Sequence, residues 1–121
     1  MGAAAMRDGL QTPTAIEYVD WLLKHMLRTN RLELAIGTRV ALPGSNEAGQ
    51  DGGPPCLPPV ETVINRLKVL AGLTPMRCAR PVEAKFEKRA ASYTLVVMTR
   101  FLETDDGSNC TIKLRVRPNK G

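Results

Sequence analysis

Apolar residues recur with a helical period in two segments of the chain. The first stripe predicts a helix over about 14–29 that ends near Asn30, and it comprises Ile16, Val19, Leu22, Leu23, Met26 and Leu27. The second predicts a helix over about 60–71, and it comprises Val60, Val63, Ile64, Leu67, Leu70 and Ala71. Gly72 follows at the position of a left-handed helix cap, and Pro75 prevents continuation.

Elsewhere the apolar period is two, which is typical of strands with one buried face. It predicts strands over 32–36, 85–89, 93–100 and 111–117, and a short return strand over 39–42. In the last strand Ile112 and Leu114 alternate with Lys113, Arg115 and Arg117. We therefore expect an α+β, two-layer domain of order α-β-β-α-β-β-β, with both helices packed on one face of a mainly antiparallel sheet. The expected core includes Ile16, Leu23, Val63, Leu67, Ile112 and Leu114.

With 121 residues, the chain has the length of one domain. We expect a flexible leader over 1–12, a single domain over 13–118 and a tail over 119–121. Within the domain, 43–59 is rich in glycine and proline and predicts a mobile surface loop. Asp105 and Asp106 lie in a segment with strong turn chemistry, which favours a hairpin turn over a metal site.

Positive charge is concentrated in the second half of the chain. Residues 1–63 carry five Lys/Arg and seven Asp/Glu, or −2, and residues 64–121 carry twelve and five, or +7, which together give the net +5. The alternating Lys113, Arg115 and Arg117 place three cations on one strand face, which Lys85 and Arg89 could extend. Such a face fits an acidic protein surface or a nucleic acid, and it is also compatible with a solvated surface without a partner.

The sequence offers little catalytic chemistry. Residues 44–51 imitate a phosphate-binding loop, but Gln50 and Asp51 replace its lysine and hydroxyl residue. Cys56, Cys78 and Cys110 have neither disulfide-framework nor zinc-site spacing. We expect no catalytic residue, no cofactor and no metal. The cysteine usage and the lack of a membrane-spanning apolar run favour a cytoplasmic protein without membrane insertion.

The first helix carries Tyr18, Trp21 and the single histidine, His25, about one turn apart. No nucleophile or carboxylate partner for a catalytic histidine is evident. Two interpretations stay open for this strip. Its aromatic rings could pack on the domain itself, or they could form a docking face, because Tyr and Trp are favoured at interfaces.

The order and spacing of several segments resemble the domain that precedes the motor in type II secretion and type IV pilus-assembly ATPases. Residues 63–73, VINRLKVLAGL, resemble a family helix that reads much like VINRLKVLAGLD. Residues 80–86 fall on its RPQDGRF segment, 93–99 on a strand like YDLRVST, and 19–23 on its opening helix. Two family arginines that reach toward the motor's nucleotide phosphates fall on Lys85 and Val96. The resemblance therefore makes the basic residues of the matched 80–86 segment, Arg80 and Lys85, the candidate phosphate-facing residues.

The resemblance implies a non-catalytic structural or interaction module of such an ATPase, or a stand-alone relative of that domain. Its implied partners are the motor domain, other copies in an ATPase ring, or an inner-membrane platform protein that would hold it at the membrane periphery. Homo-oligomerisation is compatible with this, and a specific nucleic acid is not expected. The alternative is a small basic domain that binds nucleic acid through Lys113, Arg115 and Arg117.

Overall fold

The computed structural model describes residues 13–46, 52–74 and 78–119. Helix α1 spans Pro13–Arg28 and helix α2 spans Val60–Leu70. Four strands follow the order of the chain as β1 Glu33–Gly37, β2 Val82–Arg89, β3 Tyr93–Thr104 and β4 Gly107–Pro118. They form an antiparallel sheet with the spatial order β1-β4-β3-β2. The predicted α+β fold class is confirmed.

Both helices end where the sequence predicts, because a residue with positive φ turns the backbone away from the helix. Gly72 has a φ of 82°, which lets the Leu73 N–H donate to the Lys68 carbonyl at 2.8 Å. Asn30 has a φ of 56°, and the Arg31 N–H correspondingly donates to the Met26 carbonyl at 2.8 Å. Glycine and asparagine are the residues that adopt this conformation most readily.

The core lies between the two helices and one face of the sheet. That face carries Leu95, Val97 and Phe101 of β3 beside Cys110, Ile112 and Leu114 of β4, all of which are buried. The predicted orientation of β4 is confirmed, because Ile112 and Leu114 are buried and Lys113 and Arg115 are exposed. Leu23, Val63 and Leu67 are buried as predicted, whereas Ile16 is only partly buried and lies outside the core cluster. Tyr18, Val19, Leu22 and Met26 form the buried face of α1 instead.

The return strand predicted over 39–42 is not formed, so β1 is the single strand between the helices in the part of the chain that the structure describes. The chain turns directly after β1, where the Val40 N–H donates to the Gly37 carbonyl at 3.2 Å. Strand β1 lies at the edge of the sheet and, among the described residues, pairs only with β4. Arg39 instead donates to the Asp106 carbonyl at 3.0 Å, and Val40 stays 58% exposed. The apolar Val40 therefore imitates a strand residue in a segment that turns after Gly37 and forms no strand.

Asp105 and Asp106 form the turn between β3 and β4, as predicted, although the strands extend closer to it than expected. The long loop between β1 and α2 is described at both ends, over 43–46 and 52–59. Its described residues contact α1: the Tyr18 hydroxyl donates to the Pro43 carbonyl at 2.6 Å, and the Trp21 indole N–H donates to the Gly52 carbonyl at 3.2 Å. Most of the imitation phosphate loop, 47–51, lies outside the described residues, as do the leader and most of the tail.

Candidate interaction face

The face of the sheet opposite the helices, here called the open face, is charged rather than apolar. Side chains of directly paired residues share a face, so the strand register defines its members. Its cationic residues outnumber its anionic ones. The cationic residues are Lys85, Arg89, Arg100, Lys113, Arg115 and Arg117, and the anionic residues are Glu33, Glu83 and Glu87.

One ion pair bridges the open face across three strands. The Arg117 guanidinium of β4 donates to both carboxylate oxygens of Glu87 in β2, at 3.0 and 3.2 Å. Strand β3 lies between them, and its Val96 and Thr94 are only 7% and 4% exposed. A bidentate guanidinium–carboxylate pair has fixed geometry, so it links β4 to β2 across β3 near the end of the sheet. Val96, the position that resembles a phosphate-reaching arginine, is therefore a buried apolar residue here.

Most of the remaining cations face solvent without a carboxylate partner among the described residues. Arg100 lies 3.7 Å from Glu83, at the limit of an ion pair, with both side chains more than half exposed. Lys85, Arg89, Lys113 and Arg115 are exposed and have no ion pair within the described part of the chain. An exposed charged group without an ion-pair partner can bind an external anion at a small desolvation cost.

The predicted site residues fall in two groups. Lys113, Arg115 and Arg117 lie together on the open face as predicted. Lys85 joins them, because it and Lys113 flank Met98 in register, and it lines a cavity of about 610 Å³ that also carries Glu33 and Glu83. Arg80 is exposed in the segment before β2, outside that cavity lining.

The strip of Tyr18, Trp21 and His25 packs on the domain itself. Tyr18 is completely buried, and burial raises the pKa of its hydroxyl, so it does not belong to an exposed interaction face. Trp21 is partly buried and stacks on His25, with ring centroids 4.6 Å apart and planes 14° apart. The Trp21 ring also lies against Gly44, where an added Cβ would approach it to 2.7 Å. The predicted helical spacing of the three residues is confirmed, but the loop that covers them could not be placed from sequence.

Sequence reasoning missed a buried polar cluster between α2 and the end of β3. The Lys68 ammonium is buried at 1% side-chain exposure and donates to the Glu103 carboxylate at 2.7 Å. The same carboxylate accepts hydrogen bonds from the Cys78 backbone N–H and from the Ser108 hydroxyl. Nearby, burial raises the pKa of the Cys110 thiol to about 12. The available signal was the position of Lys68 one residue after Leu67, inside the apolar stripe of α2.

This cluster is a structural element rather than a reactive site. Every polar atom named in it has a hydrogen-bond partner, and a thiol whose pKa is raised is a poor nucleophile. Among the described residues, no three His, Cys, Asp or Glu side chains come together as a metal site. Within the same ranges, no helix is both long and apolar enough to cross a membrane. No protein-family model matches the chain, and no curated protein matches its sequence.

Proposed function

We propose that this domain is a non-catalytic interaction module that docks through its open face onto an acidic protein surface. The observation that carries the proposal is the set of exposed cations at Lys85, Arg89, Lys113 and Arg115 on one side of the sheet, none of which has an ion pair within the described residues. Unpaired cations on a fixed scaffold gain Coulomb energy with an acidic partner and accelerate the encounter.

The resemblance to the pre-motor domain of secretion and pilus-assembly ATPases identifies the partner that we propose. That partner is the motor domain of such an ATPase, with a neighbouring copy in its ring or an inner-membrane platform protein as the other members of the same class. The proposed location follows as the cytoplasm, at the membrane periphery when the module is assembled. The α+β fold with both helices on one sheet face supports this proposal, because the resemblance implies a fold of this class; the expected second strand is not formed.

Nucleic-acid binding is the competing function, and the composition of the open face favours protein. The aromatic residues of the described sheet, Phe86, Tyr93 and Phe101, lie in register with the core face, so within the described chain none is positioned to stack on bases. The face also carries Glu33, Glu83 and Glu87, which interrupt the cations that would follow a regular phosphate backbone, whereas a protein surface can place basic residues opposite them. Weak, salt-sensitive attraction to DNA remains expected from the net charge alone.

The test is a binding titration of the full chain against the motor domain of a secretion or pilus-assembly ATPase encoded by the same organism. We expect saturable binding at about 150 mM salt that Arg115→Glu weakens at least about tenfold, since it reverses a charge at the centre of the face. Lys24→Glu is the control of equal charge change, because Lys24 is exposed on α1, which packs on the opposite side of the sheet, and should leave binding unchanged.

A parallel titration uses duplex and single-stranded DNA under the same conditions. A sequence-preferring complex with a dissociation constant near ~10⁻⁸ M, lost in Arg115→Glu, would replace the proposal with a nucleic-acid function. Motor binding that is equally reduced by Lys24→Glu and Arg115→Glu would show that net charge, not the open face, is responsible.

A further inference from the structure

The outer edge of β2 is an unpaired strand edge among the described residues, because the sheet ends there in the order β1-β4-β3-β2. Strand β2 pairs with β3 without interruption from Val82 to Arg89 and contains no proline. Natural edge strands usually avoid self-pairing through a bulge, a proline, a covering segment or a charge. Strand β2 has neither a bulge nor a proline, so its charged side chains determine which strand can pair with it.

The hydrogen bonds of the hairpin show which backbone groups of β2 point outward. The Ala90 N–H donates to the Tyr93 carbonyl at 2.8 Å, and the Ala84 carbonyl accepts from the Thr99 hydroxyl at 2.8 Å, so these groups point toward β3. Antiparallel ladders alternate, which directs the N–H and C=O groups of the odd-numbered residues to the free edge. These residues are Glu83, Lys85, Glu87 and Arg89, and their side chains are exposed on the open face.

We propose that the domain self-associates through β2, which pairs antiparallel with β2 of a second copy about a two-fold axis at Phe86. In this register Lys85 lies opposite Glu87 of the other copy, and Glu83 lies opposite Arg89. The symmetry repeats both pairs, so every charged residue on the open face of β2 meets an opposite charge. Directly opposed side chains lie about 4.5–5.5 Å apart between Cβ atoms, close enough for these pairs to interact.

The neighbouring registers are excluded by the same charges. A two-fold axis at Lys85 would place Lys85 opposite itself and Glu83 opposite Glu87. An axis at Glu87 would place Glu87 opposite itself and Lys85 opposite Arg89. A shift by a single residue would set open-face side chains against core-face ones. An axis at Ala84 or Lys88 would also oppose unlike charges, but it would pair only two of the four charged open-face residues of each copy. The register centred on Phe86 is therefore favoured, because it pairs all four, and the product is a continuous sheet with the open face extended across both copies.

Sedimentation velocity of the full chain tests this proposal, which does not depend on the partner proposed above. We expect a monomer–dimer equilibrium between about 10 and about 500 μM, because an edge-to-edge contact is small. Raising salt from about 50 to about 500 mM should weaken it. Lys85→Glu should raise the dimer dissociation constant about tenfold or more, because symmetry turns two attractive pairs into repulsive ones. Lys113→Glu is the matched control on the interior strand β4 and should leave the constant unchanged.

Charge exchange tests the register itself. Glu87→Lys should also dissociate the dimer, and the double variant Lys85→Glu/Glu87→Lys should restore it. An equimolar mixture of the two single variants should form a heterodimer, because both carboxylates of one variant then lie opposite lysines of the other. Circular dichroism monitors folding, because Glu87 also pairs with Arg117. A wild-type chain that stays monomeric throughout, an equal effect of Lys113→Glu, or folded single variants that do not associate when mixed would overturn the proposal.

Discussion

The Nζ atom of Lys68 lies 2.7 Å from Oε1 of Glu103, and this contact ties helix α2 to the end of strand β3. The Lys68 side chain is 1% exposed and that of Glu103 is 17% exposed, so water screens the pair poorly. The carboxylate also holds the Cys78 N–H and the Ser108 hydroxyl. Glu103 therefore fixes three separate segments of the chain, and the ammonium of Lys68 balances its charge.

Removing the ammonium should destabilise the fold strongly. Lys68→Met keeps most of the apolar length of the side chain but leaves Glu103 without its cation, which costs roughly 3–5 kcal/mol when a buried pair is broken. Lys88→Met is the matched control: Lys88 pairs with Asp20 at 2.6 Å, but the two side chains are 40% and 54% exposed. An exposed pair contributes at most about 1 kcal/mol. Urea unfolding at neutral pH compares the two, and equal losses would show that the Lys68 pair is effectively solvated.

The same carboxylate should make stability depend on acid pH. Burial raises the pKa of Glu103, but the hydrogen bonds from Lys68, Cys78 and Ser108 and the charge of Lys68 outweigh it, so the pKa is lowered from its usual 4.5. A lowered folded pKa means that the stabilisation is complete above pH 4.5 and is lost as pH falls through the folded value.

We therefore expect the free energy of unfolding to fall as the pH drops below about 5, and to fall less in Glu103→Gln, which cannot ionise. Asp20 is the control, because its hydrogen bond with Lys88 also lowers its pKa, but at an exposed site. Asp20→Asn should change the slope less than Glu103→Gln does. Urea unfolding at several pH values measures both slopes, and a steeper acid loss in Glu103→Gln than in the wild type would contradict the assignment.

The cap of helix α2 allows backbone strain to be measured without a steric contribution. Gly72 has a φ of 82°, and a Cβ added there would meet nothing within 4 Å. Gly72→Ala should therefore cost about 1 kcal/mol, which is the penalty of a left-handed alanine alone. Asn30 caps α1 at a φ of 56°, so Asn30→Gly should have the opposite sign and stabilise slightly. Thermal unfolding tests both, and a neutral Gly72→Ala would show that the cap relaxes.

Much of the fold could be predicted from sequence, because it follows from local patterns whose residues lie close together in the chain. The positive-φ caps at Asn30 and Gly72, and the alternation of Ile112 and Leu114 with Lys113, required only the residues themselves and their periods. The register of β4 followed, since one buried face fixes which side chains point inward.

The features that sequence could not supply are contacts between distant segments. Lys68 and Glu103 are 35 residues apart, so the position of Lys68 beside the apolar stripe of α2 could indicate burial but not its partner. The return strand at 39–42 had the right composition, but Arg39 contacts the Asp106 carbonyl, 67 residues away, and no strand forms. The position of Trp21 on α1 was compatible with a docking residue, but its indole N–H donates to the Gly52 carbonyl, 31 residues away. In each case the deciding partner lies far along the chain, where periodicity carries no information.

We expect the isolated chain neither to hydrolyse ATP nor to bind it tightly. At 44–51, glutamine and aspartate replace the lysine and hydroxyl that hold phosphate and magnesium in a phosphate-binding loop. Lys85, the candidate phosphate-facing residue, shares its cavity with Glu33 and Glu83, whose charges oppose a polyphosphate. A phosphate-release assay and calorimetric titration at about 1 mM ATP, within the usual range for enzyme substrates, should give the background signal. Lys85→Glu should not change either result. Phosphate release above background that Gln50→Ala or Asp51→Ala abolishes would instead assign that loop a catalytic role.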